Sequence, residues 1–350
     1  MAKKATTSLR SSSDEKDLTS SCVVVLHSVR RWTGYKFDRK VSDEVAQSNN
    51  AATNAGRYNK HLIDRSRKEY RELDRLLSAA RMHHYENTLP FERRGGSILP
   101  IANYTDYCKA QDRFVEQARE SKKRFVAAYE EIVTKERERL GDLFKEEDYP
   151  LPEEIGDKFE ISYKVLPFPN PDHFLVKLGR AEDDKIRKDL ERSIKQSIAD
   201  AQRELFERLQ RVVQHAADRL DDQPKSYQRV MRYAKAQQLK DDPSITIDKI
   251  EEIEGSEGKK VKVFYRTEAA KTFHNTLIDN IRDVVEILPR LNITNDPELE
   301  KLRQRVEKAL CQYDPGELKP TSKSFDPKKR KQAKRDADAI LKAMAGYTGA

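Results

Sequence analysis

From Ile186 to Leu220 apolar residues return every three or four positions: Ile186, Leu190, Ile194, Ile198, Ala201, Leu205, Leu209, Val212, Ala216 and Leu220. No Gly or Pro interrupts residues 185–220, and Lys, Arg, Glu, Asp and Gln fill most positions between. At roughly 1.5 Å of rise per residue, this predicts one helix on the order of 50 Å long with a single apolar stripe. The average step, about 3.8 residues, exceeds both the ~3.5 of a heptad and the ~3.6 of a straight helix. Such a stripe drifts around its helix. That argues against a long two-stranded coiled coil with strict heptads and for different neighbours at the two ends.

Shorter patterns flank this spine. Ser42 is the expected N-cap of a first helix whose stripe Val45 opens, and Leu62, Ser66, Tyr70, Leu73, Leu77, Ala80 and His84 keep a helical period. Tyr107, Gln111, Phe114, Ala118, Phe125, Ala128, Ile132, Leu140 and Phe144 mark another helix. The Pro- and Gly-containing connector at residues 87–100 predicts that the two form an antiparallel hairpin. Residues 22–29 and 159–166 read as strands, as do 174–178 after the Pro-rich turn. With residues 261–265 they predict one small β patch capping the helices. Residues 226–239 read as a short helix, 241–260 as an acidic loop, and 268–288 as an amphipathic helix closed by Pro289. Asp296 and Pro297 supply the cap and first position of a helix reaching Leu310.

The expected fold is therefore mainly α: an elongated long-helix hairpin or bundle, coiled-coil-like, with a small β patch. Its expected organisation has five parts. Residues 1–20 form a disordered basic arm, and 21–150 a short strand plus the helical hairpin. Residues 151–180 form a small β region, 181–313 the spine with its packing helices, and 314–350 a linker and basic C-terminal helix.

Composition agrees with long, largely wet helices: charged residues are 37% and glycines only 12 of 350 residues, with a mean hydropathy of -0.89. The three cysteines, Cys22, Cys108 and Cys311, are far apart and odd in number, which predicts reduced thiols in a cytoplasm. Residues 1–17 lack the apolar core of a signal peptide, and no apolar run approaches the ~20 residues of a membrane helix. The net charge of +8 is concentrated at the ends. Residues 1–40 carry +5 and residues 319–342 carry +6, leaving the body slightly acidic.

Candidate chemistry follows those ends. Arg30, Arg31, Trp32, Tyr35 and Lys36, with Phe37, Arg39 and Lys40 beyond, interleave cations and rings, the pairing that holds phosphates and stacks on bases. The competing reading is a strand end whose Trp32 and Phe37 enter the core while the arginines stay in water. Lys328, Lys329, Arg330, Lys331, Lys334 and Arg335 form a charge block on a helix, otherwise a solvated terminal face. Arg93, Arg94, Gly95 and Gly96 offer a weak phosphate loop, against the plain need of a hairpin for glycine.

Enzymatic signatures are missing: there is no phosphate-loop, dinucleotide, nucleophile-elbow, zincin or paired-cysteine motif. His83, His84 and Glu86 are the nearest approach to a metal cluster, but adjacent helical histidines point ~100° apart. Asp172, His173 and Lys177 imperfectly match a nuclease pattern. No catalytic residue, cofactor or metal is expected.

Six stretches carry a family resemblance: RWTGYK at Arg31, HYENTLPFERRGGSILPIANYTDY at His84 and LFKEEDYP at Leu143. The others are LPFPNPDHFLV at Leu166, LIDNIRDVVEILPRLNITNDPEL at Leu277 and ILKAMAGY at Ile340. In these, in order along most of the chain, the sequence resembles an uncharacterised family of phage and plasmid proteins. Members of that family are often encoded near a MoxR-type AAA ATPase and a von Willebrand A-domain protein. The resemblance implies a mobile-element component working in the cytoplasm of a bacterial host cell, with those two proteins as candidate partners, and it carries over no catalytic residue. The leading expectation is a non-enzymatic helical protein that binds nucleic acid in DNA metabolism through its basic, aromatic-bearing terminal regions. The alternative is an adaptor or substrate-recognition subunit for the ATPase, and the least favoured is a metal-dependent nuclease. Homo-oligomerisation fits each of them; a membrane fits none.

Overall fold

The computed structural model describes residues 20–91, 96–169, 180–221, 225–239, 245–253, 260–267 and 273–347. These are mainly α-helical with small antiparallel sheets, and they divide into two compact units, the chain passing from one to the other after Gln202.

The first unit opens with β1 (Cys22–Arg30), β2 (Tyr35–Phe37), α1 (Arg39–Ser48), β3 (Asn59–His61), α2 (Lys68–Asn87), β4 (Leu89–Phe91) and β5 (Gly96–Pro100). It continues through α3 (Ile101–Ala127), α4 (Tyr129–Leu140), α5 (Pro152–Ile155), β6 (Glu160–Pro167) and the start of α6 (Arg180–Leu220). Strands pair antiparallel in the order β4-β5-β1-β6. The register sets Val25 beside Ser97 and Val165, His27 beside Tyr163, and Val29 beside Ile161. Because side chains alternate across a strand, these positions share one face. Helices α2 and α3 cover that face, with Tyr70, Leu73, Leu77, Ala118, Phe125, Phe159 and Ile161 in one core cluster.

Helices α2 and α3 run antiparallel. His84 meets Tyr107, Gln111 reaches the Ala80 carbonyl, Arg124 pairs with Glu72, and the Phe125 ring meets Tyr70. The opposite sheet face carries a second apolar set, Val24, Ile98, Leu89 and Phe91, with the Phe168 ring 5.4 Å from that of Phe91. Residues 160–167 thus pair with β1, as the expected β patch has them. The expected strand at 174–178 lies outside the described residues.

Helix α1 starts three residues before the expected cap. The Asp38 carboxylate accepts from the Val41 amide at 3.2 Å, whereas Ser42 sits inside the helix, donating to the Asp38 carbonyl and accepting from the Tyr58 amide. The helical period through residue 66 fails because β3 intervenes and α2 begins only at Lys68.

The second unit contains the rest of α6, then β7 (Lys225–Arg232), α7 (Tyr233–Gln238), β8 (Ile245–Glu252), β9 (Lys260–Thr267), α8 (Thr276–Leu291), α9 (Pro297–Leu310), α10 (Pro315–Leu318) and α11 (Pro327–Met344). Helix α6 is the predicted spine, and its burial follows the drift in its stripe. Ile186 and Leu190 are only half-buried, whereas Leu205, Leu209, Val213 and Ala216 are fully enclosed. Val213 replaces the expected Val212, and Phe206 and Ala217 widen the buried face.

Helix α9 has the cap that the sequence marks, and α11 has a second of the same kind at Asp326, in the stretch expected to be linker. The Asp296 carboxylate accepts from the Glu298 and Leu299 amides, and Asp326 from those of Lys328 and Lys329, each with Pro at the first helical position. Helix α8 runs two residues past Pro289 instead of closing there. Helices α9 and α11 are antiparallel neighbours: Tyr313, beyond the end of α9, bonds Asp336, while Tyr347, beyond the end of α11, bonds Glu298.

Two further expectations are corrected here. Residues 225–232 form strand β7 rather than a helix, and the acidic 245–252 segment is strand β8 rather than a loop. With β9 they make a separate sheet, in the order β7-β9-β8, around Val261, Val263 and Tyr265. Residues 261–265 therefore do not join the sheet of β1.

Candidate nucleic-acid interface

The N-terminal candidates sit where β1 ends and the chain turns into the β2–β3 ribbon. Arg30 is the register partner of Glu160 and donates to its carboxylate. Arg31 donates to Asp74 at 2.9 Å, and Lys36 lies 3.8 Å from Asp148. Trp32 is half-buried against the core, edge-on to Tyr129 at 6.2 Å, and its carbonyl accepts from the Tyr70 hydroxyl. Next to it Gly34 adopts a φ of +66°, and a Cβ there would stand 2.4 Å from the Ile63 side chain, so this turn admits only glycine. Tyr35 remains 40% exposed. The structure thus sets all three candidate cations against carboxylates, takes Trp32 into the core and leaves Tyr35 outside.

Beneath the ribbon lies a residue that the sequence did not single out. Lys60 is 2% exposed, and its ammonium stands 2.5 Å from Asp148 and 3.5 Å from Asp38 while donating to the Leu143 carbonyl. Two carboxylates and a carbonyl around one buried cation repay much of its desolvation. They also pin the ribbon to α1 and to the acidic segment that follows α4. Nothing marks Lys60 in the sequence, because its partners come from residues 38, 143 and 148.

The C-terminal block sorts differently. Arg330 is buried, 3% exposed, donating to the carbonyls of Leu318 and Arg219 with its guanidinium 5.5 Å over Phe273. It is a packing residue, with no face left for a ligand. Lys329 pairs with Glu317 and Lys334 with Asp338. Lys328, Lys331 and Arg335 are exposed and meet no carboxylate among the described residues. Lys342, which lies beyond the block that the sequence marks, is exposed in the same way. At ~100° per residue these four fall within roughly 60° of one another, opposite the buried Ala333, Ala337 and Ile340. They form one row on the outer face of α11, about 21 Å from end to end.

Arg93, Arg94 and Gly95 lie outside the described residues. Gly96 opens β5, where a Cβ would meet the Phe91 carbonyl at 3.3 Å and the Val24 side chain at 3.4 Å. Close strand packing accounts for that glycine.

The two adjacent histidines go to different partners. His84 Nδ1 lies 2.8 Å from the Tyr107 hydroxyl and its Nε2 3.0 Å from Ser97 Oγ, while the His27 ring stacks on it at 4.4 Å. His83 meets the Gln111 amide, whose oxygen faces His27. A Ser–His contact invites comparison with a nucleophile and its base. Here, however, Ser97, His84 and Tyr107 are all buried in the core, and burial pushes the Tyr107 hydroxyl well above its ordinary value. The network satisfies polar groups inside the sheet–helix core. Burial also holds His27 and His83 below the usual imidazole value.

Among the described residues no group of three or more His, Cys, Asp or Glu side chains could hold a metal ion, and no helix is long and apolar enough to cross a membrane. Asp172, His173 and Lys177 lie outside the described residues. Comparison of the chain with protein-family models, curated proteins and solved structures returns no match.

Proposed function

We propose that this is a non-enzymatic helical protein of a mobile element that binds nucleic acid, with the outer face of α11 as its principal contact. One observation carries the reading: of the six cations in the C-terminal block, Lys328, Lys331 and Arg335 are left without a counter-charge and are aligned with Lys342 on one exposed helical face. A row of uncompensated cations in water concentrates a polyanion and gains free energy by releasing its condensed counterions. It reads charge spacing rather than base identity, so the binding is sequence-tolerant and salt-sensitive.

The test is oligonucleotide binding by fluorescence anisotropy at low salt, comparing the intact protein with a Lys331→Glu/Arg335→Glu variant. Both positions are exposed, so the fold is retained, and affinity falls roughly tenfold or more as two phosphate contacts become repulsive. Unchanged affinity overturns the proposal. Co-purification with an AAA ATPase that survives nuclease treatment, in a protein that binds no oligonucleotide, supports the adaptor reading instead.

A further inference from the structure

The outer face of the β2–β3 ribbon has no role in the reading above. Register pairs Tyr35 with His61 and Phe37 with Asn59, so these four side chains share one face, while Lys36 and Lys60 take the other. On the outer face Tyr35 is 40% and Phe37 43% exposed, and His61 and Asn59 are exposed too. The Arg57 guanidinium stands 5.2 Å over the Phe37 ring and that of Arg65 5.8 Å over Tyr35, where it also donates to the hydroxyl. Arg57 meets no carboxylate among the described residues.

An isolated three-residue ribbon is marginal in water. This one is fixed from below by buried Lys60 and from the side by the Leu62 amide, which donates to the Gly34 carbonyl at 2.7 Å. Its rings are therefore held out in solvent by a rigid base rather than exposed by fraying.

We infer that this face is a second nucleic-acid site, a stacking platform for the bases of a single strand, with Tyr35 and Phe37 as the stacking rings and Arg57 as the phosphate contact, while Arg65, paired with Asp74 at 3.0 Å, holds the Tyr35 ring in place. Ring-plus-cation pairs are what sequence-tolerant single-strand binders present. Spacing chooses the single strand over the duplex. Positions i and i+2 of a strand are ~6.7 Å apart, about twice the ~3.4 Å rise between stacked bases, so adjacent rings fit an extended, unstacked strand. A duplex hides its base faces and gains nothing here. The inference rests on the nucleic-acid reading proposed above, and it differs from the α11 row in the part of the ligand it recognises.

The experiment uses the full chain, with a labelled oligothymidylate and a labelled duplex of the same length as probes. The variants are Tyr35→Ala/Phe37→Ala, the ring-retaining Tyr35→Phe/Phe37→Tyr, and Lys331→Glu/Arg335→Glu. The alanine pair is expected to bind the single strand roughly tenfold or more weakly while leaving duplex affinity unchanged, and the ring-retaining pair to bind like the unmodified protein. Circular dichroism of each variant reports that the fold is intact. If the alanine pair binds the single strand normally while the α11 variant loses both probes, the platform is overturned and the nucleic-acid reading stands. Equal loss of single strand and duplex in the alanine pair overturns the platform as well. If the unmodified protein binds neither probe, both proposals fall together, and capture of a protein partner by this face becomes the explanation of its exposed rings.

Discussion

Two stretches of this chain look alike on paper, residues 30–40 and residues 328–335, and the fold treats them in opposite ways. In the first, Arg30, Arg31 and Lys36 meet carboxylates brought from far along the chain, Glu160, Asp74 and Asp148, and Arg39 and Lys40 lie beside Asp43 and Glu44 of their own helix. In the second, half of the block is engaged and half is left bare on one helical face. A run of Lys and Arg states how much charge is present, but not how much remains once the chain has folded. What decides is whether acidic residues of other elements can reach it. Strand pairing brings Glu160 to Arg30, whereas an outward-facing terminal helix such as α11 brings its outer row no such partner. Each region also has one buried cation that serves the fold, Lys60 beneath the ribbon of the first and Arg330 within the second.

The largest expected effects fall on those hidden cations. Replacing Lys60 with Met leaves buried Asp38 with only the Val41 amide and buried Asp148 with only the more distant Lys36, at a cost of about 3 kcal/mol in unfolding free energy by denaturant titration. A loss under ~1 kcal/mol would show that Lys60 does not anchor the ribbon. Arg330→Met strands the Leu318 and Arg219 carbonyls, for a loss of about 2–3 kcal/mol in the same measurement. It should leave oligonucleotide affinity nearly unchanged in molecules that remain folded, which separates this residue from its exposed neighbours.

An intermediate effect is expected from pH. The unfolded chain has ordinary histidines, while folding lowers the pKa of His27 and His83. As pH falls through about 6.5 the unfolded state takes up protons that the folded state does not, so stability present at higher pH is lost on acidification. Thermal melts at pH 7.5 and 5.5 should show the first unit losing stability at the lower pH, and His27→Gln should shrink the difference. An equal melting temperature at both values would remove the buried histidines from the account.

The smallest effect tests the comparison at its other end. Arg31→Ala removes a partly exposed pair with Asp74, worth no more than about 1 kcal/mol. Because that charge is already compensated, oligonucleotide affinity should change less than about twofold. A loss as large as that of the α11 variant would erase the distinction between the two regions.

Periodicity made α6 legible and the Asp296–Pro297 start made α9 so, because local spacing alone specifies them. Strand β1 was legible from its β-branched run and β6 from its alternation. Strand β8 escaped for a physical reason: a register shift between Ile247 and Lys249 breaks the period of two, yet returns Ile250 to the side of Ile245 and Ile247 against the β9 core. Strand β7 was hidden by a mixed sequence that also suits a helix, and its pairing with β9, which follows only after α7 and β8, decides the matter. At the candidate interface the residue types could be read from the sequence, but their state of charge could not. Lys328, Lys331 and Arg335 differ from Lys329, Arg330 and Lys334 only in which way the helix turns them and in what stands opposite.

The most direct test of the central claim is the salt dependence of duplex binding by the full chain and by a Lys328→Ala/Lys331→Ala/Arg335→Ala variant. If the bare row of α11 holds phosphates, the slope of log affinity against log salt becomes shallower by about 2–3 in the variant, near 0.9 for each phosphate no longer neutralised. An unchanged slope would place the phosphate-binding cations elsewhere on the molecule and contradict the account.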